Sequence, residues 1–79
     1  MNKQKHKSCA KVFGERLTGL MIERGVGKAE LGRVVGVSRS TIASWCEGRT
    51  VPYINKLVGL VMFFGVKSDY LVGLVDKVN

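Results

Sequence analysis

A chain of 79 residues and 8.7 kDa holds one domain, near the small end of what can hide a core without disulfides or a metal. With 46% hydrophobic residues and a single proline it is too apolar for a disordered chain, and its size favours a compact helical globule. The formal charge of +7 is unevenly placed: residues 1–11 hold four lysines and no acid, residues 28–56 hold five basic and two acidic residues, and the other segments are neutral, a footprint that suits a polyanion, above all nucleic acid.

Residues 1–11 read as a basic arm. From Cys9 to Arg24 the apolar residues Val12, Phe13, Leu17, Leu20, Met21 and Ile22 recur at three- and four-residue steps, with Glu15, Arg16, Glu23 and Arg24 between them. This predicts a first amphipathic helix, ended by Gly25 in "RGVG". Lys28 to Val35 forms a short second helix with Leu31, Val34 and Val35 inward, Gly36 as its C-cap and Val37 as an apolar plug in the turn. Ser38 has the residue type and position of an N-cap, and the third helix runs from Arg39 to about Glu47, stopping at Gly48.

On that third helix Ile42 and Trp45 share one face, whereas at about 100° per residue Arg39, Ser40, Ala43, Ser44 and Glu47 point the other way. Small exposed side chains let such a helix approach another surface closely. Trp45, spaced from Ile42 as a core residue, reads as core rather than as an aromatic that stacks on unpaired bases. After "RTVP" a fourth helix runs from about Tyr53 to Phe64 with Ile54, Leu57, Leu60, Val61 and Phe64 as its core set, and Gly65 ends it. Ser68 and Asp69 open a fifth helix through Tyr70, Leu71 and Leu74, and the tail frays after Asp76. Five short helices leave no room for a sheet, so the fold class is all-α.

Several functions have little to stand on. Cys9 and Cys46 form no CxxC, and His6 has no second histidine to complete a ligand set, so neither a metal nor another cofactor is expected. No nucleophile and base can be paired, which argues against an enzyme. The longest apolar run, "LVGLVMFFGV" at 57–66, is about half of a membrane-spanning helix. No secretory signal follows the lysines, and the expected setting is a reducing cytoplasm with free thiols and no membrane partner.

The stretch "KAELGRVVGVSRSTIASWCEG" at 28–48 resembles the helix-turn-helix of the lambda-repressor-like (Xre, Cro) family. "FGERLTGLMIERGVGKAEL" is similar to that family's first helices and "PYINKLVGLVMFFGVKSDYLVGL" to its fourth and fifth, so the likeness covers about residues 12–74. It implies a compact five-helix DNA-binding domain over 12–75, with the helix-turn-helix at about 28–47 and a tail at 76–79. In this family the third helix lies in the major groove. The resemblance therefore puts Arg39, Ser40 and Ser44 at base-reading positions, with Ser38 and Thr41 at the edge of that contact; Arg39 has the fork to pair with guanine O6 and N7. Lys28 stands where the family often carries a glutamine that holds phosphate, and Arg49, Asn55 and Lys56 would flank the same strand. Lys3, Lys5 and Lys7 resemble the basic arms that some family repressors extend around the duplex. Gly32 replaces the usual alanine, and Cys46 and Glu47 replace a common Glu-Asn pair.

Met62, Phe63, Val72, Val75 and Val78 exceed what so small a domain can cover, and they read as a homodimer interface, as in relatives whose C-terminal helices pair. The resulting expectation is a sequence-specific double-stranded DNA-binding transcriptional regulator of the Cro or repressor type, acting as a dimer on a palindromic operator. The alternative is an antitoxin-like or anti-repressor-target module whose apolar C-terminal surface binds a protein partner.

Overall fold

The computed structural model describes residues 8–73 of the chain. Within them lie α1 (Cys9–Arg24), α2 (Lys28–Val35), α3 (Arg39–Cys46), α4 (Ile54–Phe64) and α5 (Ser68–Leu71), with no strand. Local chemistry sets these boundaries. Ser8 opens α1 by accepting the Lys11 N–H at 3.2 Å, and Ser38 opens α3 by accepting the Thr41 N–H at 3.1 Å. At the end of α2, Gly36 takes a left-handed conformation with φ 80°, and its N–H and that of Val37 both return to the Gly32 carbonyl, at 2.8 and 2.9 Å. A valine follows the terminal glycine of three helices, and each packs inward: Val26 and Val37 lie half-buried against the core and Val66 is buried within it.

The core is built from Phe13, Leu17, Leu20 and Met21 of α1, Leu31 and Val35 of α2, Ile42 and Trp45 of α3, Leu60 and Phe64 of α4, and Leu71 of α5. Trp45 meets Phe13 edge-on with ring centroids 6.5 Å apart, and at 3% exposure it has no face to offer a base. Each fully buried aliphatic side chain contributes about 1.5–3 kcal/mol, and Ile42 with Trp45 thereby anchors α3.

Three residues expected in the core stand on the surface: Ile22, Val34 and Ile54 are 76%, 50% and 73% exposed. Ile22 and Val34 each sit one position, about 100° of helical rotation, away from a buried neighbour, Met21 and Val35, and so fall on the flank. Ile54 is the first residue of α4, where the outer face turns to solvent. The helix bounds differ in three places: α3 closes at Cys46, Tyr53 is the N-cap of α4 rather than its first turn, and α5 closes at Leu71 with Val72 as its C-cap rather than running on through Leu74.

Four basic side chains tie helix ends together. Lys56 donates from Nζ to the Val35 carbonyl at 3.0 Å, at the end of α2, and Lys11 reaches the Glu47 carbonyl beyond α3 at 3.4 Å. Arg24 donates to the Phe64 carbonyl that closes α4 at 2.8 Å, and Arg16 donates to the Tyr70 carbonyl of α5 at 2.7 Å while its guanidinium stacks over the Tyr70 ring. Each cation thus meets a carbonyl at the negative end of a helix from another part of the chain. Cys9 and Cys46 are free thiols, and the half-buried Cys46 packs its Sγ 3.7 Å from the Met21 sulfur, as a small boundary residue.

Candidate nucleic-acid interface

The outer face of α3 is held in place by close backbone approaches on its two sides. A Cβ on Gly32 would lie 2.6 Å from the Val37 carbonyl oxygen, so the turn between α2 and α3 is tighter than an alanine permits on this backbone. A Cβ on Gly14 would lie 2.6 Å from the carbonyl oxygens of Trp45 and Cys46, so α1 presses directly on the end of α3. With Ile42 and Trp45 buried beneath, the helix has little freedom to roll.

That face carries Arg39 and Ser40 exposed at its first turn, with Ser44 half-buried one turn on. Arg39 has no hydrogen-bond or ion-pair partner among the described residues, so its guanidinium fork is unspent. The hydroxyls, by contrast, are paired with one another. Ser38 lies 3.1 Å from the Ser40 hydroxyl and 2.9 Å from that of Thr41, and Ser44 lies 2.7 Å from the Thr50 hydroxyl. Ser38 already serves as the cap of α3, which leaves it a smaller share in any outward contact.

Along the flank, Lys28 is exposed at the first position of α2, where Gly27 supplies no side-chain cap for the first N–H groups. Arg49 pairs with Glu47 at 2.7 Å with both side chains exposed, an interaction worth at most about 1 kcal/mol and easily exchanged for a phosphate. Asn55 is exposed, its Oδ1 accepting the Lys56 N–H at 3.0 Å. Lys56 is placed differently from its neighbours, with its ammonium on the α2 carbonyls. Met62 is 76% and Phe63 37% exposed on α4, while Val72 is half-buried. Lys3, Lys5, Lys7, Val75 and Val78 lie outside the described residues.

Thr50 escaped the sequence reading. Its contact with Ser44 depends on the chain doubling back after α3, where the Arg49 N–H donates to the Ser44 carbonyl at 3.0 Å, and no periodicity announces that. Of the valine plugs only Val37 was foreseen, although the repeated Gly-Val pair at 25–26, 36–37 and 65–66 was a usable signal for the other two.

The arrangement of α2, a tight glycine turn and an outward α3 has known counterparts. A family model described as a helix-turn-helix domain matches residues 12–72. The P22 c2 repressor, in its crystal structure with synthetic operator 9T, is 32% identical with a TM-score of 0.72, over 75% of this chain and 89% of that one. The chain belongs to the lambda-repressor-like helix-turn-helix family. A transcriptional regulator from Listeria innocua is similar as well, at 34% identity and a TM-score of 0.76 over 85% of this chain and 63% of that one. The SOS-response transcriptional repressor LexA from Eubacterium rectale shares 26% identity and a TM-score of 0.77 over 91% and 73% of the two chains. No curated protein sequence is matched. Within the lambda-repressor-like frame, α2 and α3 form the helix-turn-helix and the fold is that of repressor-type transcriptional regulators. No helix of the described residues is long and apolar enough to cross a membrane.

Proposed function

We propose that this protein is a sequence-specific, double-stranded DNA-binding transcriptional regulator of the repressor type, acting in the cytoplasm or on the nucleoid. The observation that carries the proposal is the α3 face: rigidly backed, small in profile and headed by the unpartnered Arg39. Arg39 reads guanine with two parallel hydrogen bonds, Ser40 and Ser44 add contacts beside it, and Ser38 and Thr41 border them. Lys28 with the open N-terminus of α2 grips phosphate, and Arg49 and Asn55 flank the same strand, so that phosphate contacts position what base contacts specify. Lys56 contributes indirectly, by holding the end of α2 against α4. The N-terminal lysines Lys3, Lys5 and Lys7 add counterion release.

A palindromic operator bound by a homodimer is the reading that the apolar residues left uncovered on α4, Met62 and Phe63, support, and the same reading assigns Val72, Val75 and Val78 to the interface. The same exposure supports a second reading, an antitoxin-like module in which this surface holds a different protein. Selection of duplexes from a random pool at about 150 mM salt tests the first reading, because nonspecific electrostatic binding is suppressed there. Enrichment of an inverted repeat is the expected result. A pool that stays random would refute sequence-specific binding and turn attention to a protein partner.

A further inference from the structure

The Ser44 and Thr50 hydroxyls, at 2.7 Å, form the shortest of the hydroxyl pairs on the α3 face. The pair joins the last turn of α3 to the loop that leaves it, and the Arg49 N–H bond to the Ser44 carbonyl at 3.0 Å holds that loop in place. A lone serine hydroxyl rotates freely and either donates or accepts, so it discriminates poorly between bases. Thr50 removes this ambiguity once its own hydrogen is directed.

Thr50 is exposed beside Arg49, on the flank of the recognition helix. A phosphate oxygen has only lone pairs to offer, so a phosphate next to this flank takes the hydrogen of Thr50. The Thr50 oxygen is then left as the acceptor within the pair, and Ser44 must spend its hydrogen there. What Ser44 still presents to the groove is a lone pair. It can accept from the exocyclic amino group of adenine or cytosine, and it has no hydrogen for the acceptors of guanine or thymine.

We infer that Thr50 is a specificity-determining positioning residue, linking the DNA backbone to Ser44 and fixing Ser44 as an acceptor-only reader of one base amino group. The inference rests on the reading of α3 as a DNA recognition helix. In the unbound protein the pair is open to water, which competes for both hydroxyls. On the duplex water is displaced and the lower local dielectric strengthens the chain of bonds.

The experiment begins with an operator selected by the wild-type protein. Affinities are then measured for wild type, Ser44→Ala, Thr50→Val and Thr50→Ser, on duplexes carrying deoxynebularine for adenine or deoxyzebularine for cytosine at one position at a time, and, at the position where an analogue weakens wild type, on duplexes carrying guanine or thymine instead. These analogues lack only the amino group. Wild type and Thr50→Ser should lose about five-fold in affinity at one position of each half-site. Ser44→Ala should be indifferent to the analogue there, and Thr50→Val, whose Ser44 hydroxyl is free to donate as well as accept, should tolerate guanine or thymine at that position where wild type and Thr50→Ser reject them; both variants should keep the wild-type profile at every other position, which also shows that they are folded. If an operator is found and Thr50→Val rejects guanine and thymine at that position as strongly as wild type does, the role given to Thr50 is wrong. If no operator emerges at all, the DNA-reading proposal itself fails and this inference falls with it.

Discussion

At the scale of single residues, two glycines of α1 put opposite demands on the chain. Gly14 faces the carbonyls of Trp45 and Cys46 at a Cβ distance of 2.6 Å, both of them backbone atoms that cannot swing aside, whereas nothing lies within 4 Å of a Cβ on Gly19. Gly14→Ala should therefore destabilise the fold by about 1–3 kcal/mol through overpacking. Gly19→Ala should stabilise it by up to about 1 kcal/mol by restricting the unfolded chain and restoring helix propensity. Urea unfolding of the two variants reads both effects, and equal midpoints would mean that α1 does not pack on α3 in this way. The same residue-level division applies to DNA. Arg39→Ala should relax discrimination at one base pair by about 1–3 kcal/mol, while Lys28→Ala should weaken binding evenly across sequences and reduce the salt slope by about 1. Equal losses for both variants on every duplex would show that the assigned roles of base reading and phosphate holding are not separate.

Between helices, the basic side chains decide more than their number suggests. Lys56 stood among the phosphate contacts expected from the sequence, yet its ammonium lies 3.0 Å from the Val35 carbonyl at the negative end of α2. Lys56→Met keeps the aliphatic stem and removes the cap, and should cost about 1 kcal/mol of stability. Arg33→Met, on the exposed side of the same helix, should stay within about 0.5 kcal/mol of wild type. A Lys56 variant with unchanged thermal stability and a shallower salt dependence of DNA binding would return this residue to the phosphate contacts. This contrast marks how far the sequence could be read. Helix limits were legible because Ser38 and Gly36 act on backbone within a few residues of themselves, and Ile42 with Trp45 declared the inward face of α3 by their spacing. The destinations of Lys11, Arg16, Arg24 and Lys56 were not, since each reaches a helix end distant in sequence that only the packed fold brings near. Ile22, Val34 and Ile54 failed for a related reason: hydrophobicity alone does not say where the rim of a buried stripe falls on a short helix.

For the whole molecule the open question is how one small domain acquires enough contact to read DNA tightly. One recognition helix offers a single half-site, and in the proposed dimer a second copy related by a two-fold axis sets the distance between helices at about 34 Å, one turn of the duplex. Met62 is the informative probe of this arrangement. It is 76% exposed and outside the core, whereas Phe63 stacks edge-on with Phe64 at 5.0 Å and cannot be changed without disturbing the core. Met62→Glu puts two carboxylates against each other across the proposed axis. It should shift sedimentation at micromolar concentration from dimer to monomer and lower affinity for the full palindrome, while affinity for an isolated half-site and thermal stability stay as in wild type. A spacer adds a geometric control. Inserting about half a helical turn between half-sites rotates one of them to the far side of the duplex and should abolish the advantage of the palindrome in the wild type. The Met62→Glu protein, binding each half-site alone, should be indifferent to the same insertion. A wild-type protein that sediments as a monomer with and without operator, or that tolerates the spacer, would mean that the apolar face of α4 serves some partner other than a second copy.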